Sequence, residues 1–306
     1  MSFNLRVLNL LIGMCKGVAG LPRGLYELGF RDEAVEMRFT NSERRTVAPE
    51  LIISSEQIHH TVLFEWKEGA NTDADQLERY SRVTTNDLVE KALLTRGKCA
   101  IHDFAIIGLD EHRERLPIGI RDGGYNFPVL VIVPDGIEIV LNAFHMEQTD
   151  AVFRPRLEVN WATAPTWFFP LDSESELWEF AEHAIPLVLE DMQKGVPRIL
   201  ANDLAKRMVP HWDTMRNDYK ALLLRKIETV MDRAERREFR KNLAKNTKAK
   251  RATHTATWDV RENPLLEEAD KRHKAFRTLR KQQASLIAYF KSDQRQEELP
   301  LTEHAE

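Results

Sequence analysis

The chain of 306 residues is long enough for one to three domains with a sizeable hydrophobic core. With 42% hydrophobic and 30% charged residues, its composition excludes a collagen, a low-complexity polymer and a wholly disordered protein. Two cysteines are too few for a disulfide scaffold and favour a reducing compartment. Since no run of about 18 apolar residues could cross a bilayer, we expect a soluble cytoplasmic protein without a membrane partner.

The net charge of −4 is the average of two unlike parts. From Met1 to Asp191 there are 18 Lys and Arg against 31 Asp and Glu, whereas Gln193 to Arg295 contains 26 against 13. This asymmetry predicts two modules with different electrostatic tasks. The basic part is suited to a polyanion such as nucleic acid, and a solvated helical surface rich in Lys and Arg is the alternative.

The first 150 residues show strand and helix patterns in alternation. They predict, in chain order, a helix at 4–18, a short helix at 23–28, strands at 34–39, 47–54 and 60–66, a helix from Thr72 or Asp73 to Thr95, a strand at 100–108 and a hairpin of 127–133 with 137–144. The segments 110–124 and 150–172 read as a polar loop and irregular chain.

The later part of the chain is helical in pattern. Helices are expected at 174–194, 198–208, 212–242 and 264–291, with Pro186 kinking or splitting the first of them. Within the gap at 246–263, residues 253–260 could form a short strand pair.

Two acidic residues and a lysine occupy the strands of the predicted sheet. Glu50 precedes the apolar run Leu51–Ile53, and Glu65 lies in the next run, two residues before Lys67. If the runs are neighbouring strands, Glu50 and Glu65 meet near adjoining strand ends, and Glu65 and Lys67 share a face. An exposed strand with a surface Glu65–Lys67 ion pair is the alternative.

Two converging carboxylates without His or Cys favour a hard cation, Mg²⁺ or Mn²⁺, and the Trp66 carbonyl could add an oxygen ligand. Such an ion polarises a phosphoryl oxygen and activates water, while a lysine beside it stabilises developing charge. The set therefore fits metal-assisted hydrolysis of a phosphodiester. His102 and Asp103 open the strand at 100–108, and they either point at this site or begin a buried strand.

The pattern Pro49-Glu50 followed by Glu65-Trp66-Lys67 resembles the PD-(D/E)XK motif of the restriction-endonuclease-like nuclease superfamily. Gln76 and Tyr80 on the next helix resemble the QxxxY motif of its RecB-like branch. The resemblance implies an α/β core of order αβββαβ with a mixed sheet, metal ligation by Glu50 and Glu65, catalysis by Lys67 and support from Gln76 and Tyr80. It also implies a further acid ligand, for which Glu27, Glu33 and Glu36 are candidates.

The resulting hypothesis is a Mg²⁺-dependent DNA endonuclease. Its expected parts are a nuclease-like domain at 1–150, a connecting region at 151–192, a basic helical DNA-binding region at 193–295 and an acidic tail at 296–306. Phosphate contacts are expected from five residues of the basic region, namely Arg236, Arg237, Arg240, Lys241 and Lys245.

The biological setting and assembly stay open at this point. Similar arrangements occur in restriction-type defence nucleases and in transposon-end-cleaving subunits, and the sequence does not separate these settings. A homodimer or a partner subunit is compatible with it. A non-catalytic nuclease-like protein that docks nucleic acid or an acidic partner is the alternative function.

Overall fold

The computed structural model describes residues 3–92, 94, 98–248 and 255–297. The chain forms two compact units: Met1–Pro170 with Asp213–Asn217, and Leu171–Trp212 with Asp218–Glu306. This division differs from the boundaries expected at 150 and 192. Residues 151–170 belong to the first unit because they add an edge strand to its sheet and because the Phe169 backbone bonds to the Asn9 side chain. The expected acidic tail lies almost entirely outside the described residues.

The first unit is built on a seven-stranded mixed sheet and a small hairpin. The strands are β1 Phe30–Val35, β2 Phe39–Thr40, β3 Thr46–Val47, β4 Leu51–Ser55, β5 His60–Lys67, β6 Ile101–Leu109, β7 Val129–Val133, β8 Gly136–Leu141 and β9 Leu157–Glu158. The sheet order is β1-β4-β5-β6-β7-β8-β9, and β2 pairs with β3. Strands β5, β6 and β7 are parallel to one another, whereas the other neighbours are antiparallel. The mixed α/β class and the β7–β8 hairpin expected from the sequence are confirmed.

The helices of the first unit are α1 Phe3–Cys15, α2 Gly24–Glu27, α3 Ala74–Ser81, α4 Thr85–Glu90, α5 Leu116–Asp122 and α6 Glu147–Phe153. The single helix expected from residue 73 to 95 is wrong. Thr84 and Asp87 form a reciprocal capping box that begins α4 three residues after α3 ends. The expected loop at 110–124 contains α5, whose buried face includes Leu116 and Ile120.

The hydrophobic core explains why α3 lies over the sheet. Leu77 and Tyr80 of α3 are buried in one cluster with Leu63 of β5 and with Phe104 and Ile106 of β6. Since i and i+4 share a helix face, burying Tyr80 also turns Gln76 toward the end of β5. Strand β5 itself is buried along nearly its whole length, as expected for a central strand covered on both faces.

The second unit combines helices with a small antiparallel sheet. Its elements are α7 Leu177–Gln193, β10 Arg198–Leu200, α8 Ala201–Met208, α9 Asn217–Arg236, β11 Leu243–Lys245, β12 Thr257–Val260 and α10 Ala269–Glu297. The sheet order is β10-β12-β11. Helix α7 continues through Pro186 as one helix, with buried residues on both sides of the proline. Strand β12 pairs with β10 and β11, and residues 253–254 of the expected strand pair lie outside the described residues.

Within the part of the chain that the structure describes, no helix has the length and apolar character needed to cross a membrane.

Candidate functional site

The two predicted acids meet where β4 begins and β5 ends. Leu51 and Phe64 are opposite each other in the antiparallel register, and the backbone N–H of Glu50 donates to the Phe64 carbonyl at 3.0 Å. Glu50 therefore lies across from the segment that contains Glu65. Its carboxylate accepts a hydrogen bond of 2.6 Å from the backbone N–H of Trp66. The structure thus brings the two acids together as the sequence predicts.

Glu65 is the centre of a polar network supplied by β5 and α3. Its Oε1 accepts hydrogen bonds from Lys67 Nζ at 3.2 Å and from Gln76 Nε2 at 2.5 Å. Its Oε2 accepts from the Tyr80 hydroxyl at 3.2 Å, and that hydroxyl accepts from the Ala48 backbone N–H at 3.3 Å. Lys67 also donates to Gln76 Oε1 at 2.6 Å. The four side chains Glu65, Lys67, Gln76 and Tyr80 are therefore one connected unit.

Local sequence explains why α3 begins where it does. The Asp73 side chain accepts from the backbone N–H groups of Asp75 and Gln76 and is the N-cap of α3, so the structure decides between the two starts, Thr72 and Asp73, that the sequence left open. Starting the helix at this point places Gln76 in the first turn and Tyr80 one turn later. Both side chains then reach the end of β5.

Burial and like charge perturb the groups of this network. Burial raises the pKa of Glu50 well above its usual range, and the nearby carboxylates of Glu65 and Glu36 raise it further. Burial also raises the pKa of the Tyr80 phenol, again with a contribution from Glu65. The phenol is therefore a neutral donor to Glu65, and the positive charge of Lys67 offsets only part of the effect of burial and of the nearby acids on Glu50.

The carboxylates and several arginines line one cavity of about 250 Å³, which we call the carboxylate cavity. Its lining residues are Glu36, Arg38, Thr46, Ala48, Glu50, Glu65, Gln76, Arg79, Tyr80 and Arg216. The cavity thus combines acids that suit a cation with guanidinium groups that suit an anion. Both kinds of group are needed where a metal ion and a phosphate meet.

Comparison with known proteins places this part of the chain in a family. The family model described as the MJECL32 domain matches residues 4–160, slightly more than half of the chain. The chain belongs to the MJECL32 domain family. No curated protein and no solved structure matches it. The matched residues contain Glu50, Glu65, Lys67, Gln76 and Tyr80, together with the sheet that positions them.

Among the three further acids considered, the MJECL32 domain brings Glu36 to the carboxylate cavity. Glu27 is exposed and pairs with Arg23, while Glu33 accepts hydrogen bonds from Ser54 and Lys98 elsewhere on the sheet. Glu36 adopts the left-handed conformation with φ of 50°, which is costly for a residue with a side chain.

The arginines of the cavity were not predicted. Arg79 lies between Gln76 and Tyr80 on α3, so its nearness to the motif was a usable signal. Arg216 is far along the chain, and no local pattern marks it. Its backbone N–H donates to the Glu36 carbonyl at 2.8 Å, and its Nε lies 3.1 Å from the Glu36 carboxylate.

The metal-ligand roles predicted for Glu50, Glu65 and the Trp66 carbonyl stay predictions. The backbone of Trp66 contacts Glu50 through its N–H group, which donates to the carboxylate. No group of three or more His, Cys, Asp and Glu side chains among the described residues has the arrangement of a metal site.

The five cations predicted for DNA contact differ in their surroundings. Arg236, Arg237, Arg240 and Lys241 are exposed, and Lys245 is half-buried. The Arg237 guanidinium lies 3.7 Å from the centre of the Tyr289 ring, and Lys245 Nζ lies 2.5 Å from an Asp232 carboxylate oxygen. The other three cations are therefore better placed than Arg237 and Lys245 to contact a phosphate.

Asp103 does not point at the carboxylate cavity. Its buried carboxylate accepts from His60 Nε2 at 2.9 Å, from the His145 backbone N–H at 2.9 Å and from His145 Nδ1 at 2.5 Å. His60 Nδ1 in turn lies 2.8 Å from the Thr149 hydroxyl. The sequence left two alternatives for Asp103, and the structure decides for the buried strand. The sequence did not indicate that Asp103 would pair with His145.

Proposed function

We propose that this protein is a metal-dependent DNA endonuclease that hydrolyses phosphodiester bonds. One observation carries the proposal: the side chains of Glu50, Glu65 and Lys67 converge, with Gln76 and Tyr80 bonded to the same carboxylate. A surface ion pair on β5 would not require Gln76 and Tyr80 of α3 to bond to the same Glu65 carboxylate. The residue types and their contacts favour phosphoryl chemistry.

We further propose that the first unit has the restriction-endonuclease-like core. The order α1, β1, β4, β5, α3, β6 follows the αβββαβ order of that superfamily. Strands β1, β4 and β5 are antiparallel neighbours, and β6 is parallel to β5 after the α3 crossover. Glu50 immediately precedes β4 and Glu65 lies on the neighbouring strand β5, beside that crossover helix.

The donor set fits Mg²⁺ or Mn²⁺. Glu50 and Glu65 offer only carboxylate oxygens, and the raised pKa of Glu50 shows that burial and the neighbouring acids disfavour its charged form without a cation nearby. Glu36 lines the same cavity as a third acid. A bound divalent ion would supply positive charge to these carboxylates and polarise a phosphoryl oxygen.

The chain's own residues have separable tasks in the proposed reaction. Lys67 Nζ, held between Glu65 and Gln76, can orient a water molecule and stabilise charge on the phosphate. Gln76 and Tyr80 fix the Glu65 carboxylate through both of its oxygens. Arg38, Arg79 and Arg216 line the cavity with positive charge that a phosphodiester can pair with.

DNA as substrate is supported by the charge distribution. The first unit is rich in acids and would hold a polyanion poorly by itself, whereas the region from Gln193 to Arg295 has twice as many cations as acids. Exposed Arg236, Arg240 and Lys241 provide sequence-independent phosphate contacts. We also propose a cytoplasmic location and assembly as a homodimer or with a partner subunit. The proposal includes two biological settings, defence and transposition.

Plasmid cleavage tests the proposal. Purified full-length protein is incubated with supercoiled DNA in Mg²⁺ or Mn²⁺, beside Lys67→Ala and a control Lys91→Ala, which alters an exposed lysine of the same unit. We expect metal-dependent nicking or linearisation that Lys67→Ala lowers about 100-fold or more and Lys91→Ala leaves unchanged. Equal thermal unfolding of the variants excludes a folding defect, and equal cleavage by Lys67→Ala would contradict the assignment.

A non-catalytic DNA-binding protein is the second candidate. It is favoured by the lack of a three-residue metal arrangement among the described residues. That function predicts DNA binding without cleavage in either metal. It also predicts that Mg²⁺ and Mn²⁺ give no heat in a calorimetric titration of wild type, while the endonuclease predicts a binding heat that Glu65→Ala removes.

A further inference from the structure

A second cavity of about 540 Å³ lies in the first unit, and its size is typical of small-ligand sites. Much of its wall is aromatic, and we call it the aromatic cavity. The rings of Tyr125 and Phe127 are stacked, with their centroids 5.3 Å apart and an angle of 2° between the ring planes. The Tyr80 ring stacks on Phe104 with centroids 4.0 Å apart. Flat apolar walls of this kind suit a planar ring.

His145 provides a polar anchor in this cavity. Its Nδ1 lies 2.5 Å from Asp103 Oδ1, while Asp103 Oδ2 is occupied by His60 and by the His145 backbone N–H. Because an ionised carboxylate only accepts, Nδ1 carries the proton. In the neutral form of this tautomer the lone pair is on Nε2, which can then accept a hydrogen bond. The His145 side chain is 51% exposed, so this acceptor is within reach of a ligand.

His102 offers a second acceptor of the same type. Its Nε2 lies 3.1 Å from the Val83 carbonyl oxygen, which only accepts, so Nε2 is the protonated nitrogen. Burial lowers the pKa of His102, and the ring is neutral at neutral pH with its lone pair on Nδ1. The cavity therefore combines aromatic walls with two imidazole acceptors.

We propose that the aromatic cavity binds a planar nitrogen heterocycle that carries an exocyclic amino group, namely an amino-bearing nucleobase of the DNA. The inference rests on the proposed function, since DNA supplies the base. It adds a base-binding site beside the cleavage site: Tyr80 lines both cavities and donates its hydroxyl to Glu65. Aromatic stacking holds the ring, and the imidazole acceptors select for the amino group.

The experiment uses two nucleosides as probes. Deoxycytidine and deoxyuridine share the sugar and the pyrimidine skeleton. At C4 the first has an amino group and the second a carbonyl oxygen, and N3 is an acceptor in the first and an N–H donor flanked by two carbonyl oxygens in the second. Each is titrated into metal-free full-length protein, and the imidazole and aromatic resonances are followed by NMR. We expect deoxycytidine to bind in the millimolar range with saturable shifts at His145, and deoxyuridine to bind about fivefold more weakly or less.

Two variants and a matched control test the anchors. His145→Phe keeps a ring but removes the acceptor, and it should weaken deoxycytidine binding about fivefold. Tyr125→Ala should weaken the binding of both nucleosides about fivefold or more, because it removes a stacking wall. His273→Phe, on the exposed surface of α10, should change nothing. The proposal is overturned if deoxycytidine does not bind, binds no better than deoxyuridine, or binds both variants as it binds wild type.

Nucleoside binding can be tested independently of DNA cleavage. The probes contain no phosphodiester and the titration contains no metal, so it does not depend on hydrolysis. Lys67→Ala should bind deoxycytidine as wild type does, although it fails to cleave plasmid. Cleavage without nucleoside binding would contradict the base-binding site alone. Nucleoside binding without cleavage would contradict the endonuclease activity alone.

Discussion

The backbone N–H of Trp66 donates a 2.6 Å hydrogen bond to the Glu50 carboxylate. Because Trp66 follows Glu65 on β5, this bond fixes the first acid against the backbone of the strand that bears the second. Two acidic side chains on neighbouring strands would otherwise separate to lower their repulsion. The position of Glu50 is thus set by strand pairing and by one backbone donor.

Replacing Glu50 by Gln should stabilise the metal-free protein. The variant removes a carboxyl whose ionisation is disfavoured by burial and by the nearby Glu65 and Glu36, yet its amide oxygen can still accept from Trp66. We expect the Tm in EDTA to rise by about 2–4 °C, the effect of about 1 kcal/mol in a domain of this size. Mg²⁺ should raise the Tm of wild type and leave the Tm of Glu50→Gln unchanged. Glu56→Gln, at an exposed position, is the control, and a Mg²⁺ response in Glu50→Gln equal to that of wild type would refute the prediction.

Two substitutions of Glu36, by glycine and by alanine, should differ in their effect on stability and agree in their effect on activity. The φ of 50° at this residue favours glycine. Glu36→Gly and Glu36→Ala both remove the carboxylate. Because the left-handed conformation is unfavourable for alanine but not for glycine, the glycine variant should be more stable than the alanine variant by about 1 kcal/mol. Urea unfolding measures this difference. Both variants should lose DNA cleavage, and full activity in either one would show that Glu36 has no role in the site.

Asp103 should make stability depend on pH. Burial raises the pKa of this carboxyl, but hydrogen bonds from His60 and His145 outweigh that effect and hold the pKa below its usual value. A carboxyl with a lowered pKa in the folded state contributes stability above its unfolded pKa, and that contribution is lost as the pH falls through the folded pKa. Asp103→Asn should therefore cost about 2 kcal/mol or more at neutral pH and progressively less toward about pH 3.

Urea unfolding across this pH range measures the Asp103 effect. Asp122→Asn is the matched control, because Asp122 is exposed. A constant difference between wild type and Asp103→Asn at every pH would contradict the role of ionisation.

The exposed cations of the second unit should determine how DNA binding depends on salt. In the Lys67→Ala background, which keeps the DNA intact, removing Arg236, Arg240 or Lys241 should weaken binding at every sequence. Each substitution by Ala should also reduce the slope of log K against log salt by about 0.9. Arg237→Ala and Lys245→Ala should have smaller effects, since these cations already contact Tyr289 and Asp232. Fluorescence anisotropy with duplex DNA at several salt concentrations provides the measurement, and equal slopes in all five variants would reject these contacts.

The local arrangement of the site was predictable from the sequence. Alternation along β5 places Glu65 and Lys67 on one face, and the helical period places Gln76 and Tyr80 on one face of α3. Asp73 was recognisable as one of two candidate helix caps, the other being Thr72. The end of α3 at Ser81 was missed, because the capping box of Thr84 and Asp87 competes with an apolar pattern that runs on toward residue 95.

The sequence by itself determined the elements that carry the motif, because side-chain direction follows from the periods of strands and helices and needs no knowledge of distant residues. Only the tertiary structure decided which acid joins Glu50 and Glu65. Glu27, Glu33 and Glu36 lie within ten residues of one another, and of these three Glu36 lines the cavity. Tertiary packing likewise brought Arg216 to Glu36 and Asp103 to His145. Such contacts join residues far apart in the chain, and they are set by how the sheet and helices bury their apolar faces rather than by any local pattern.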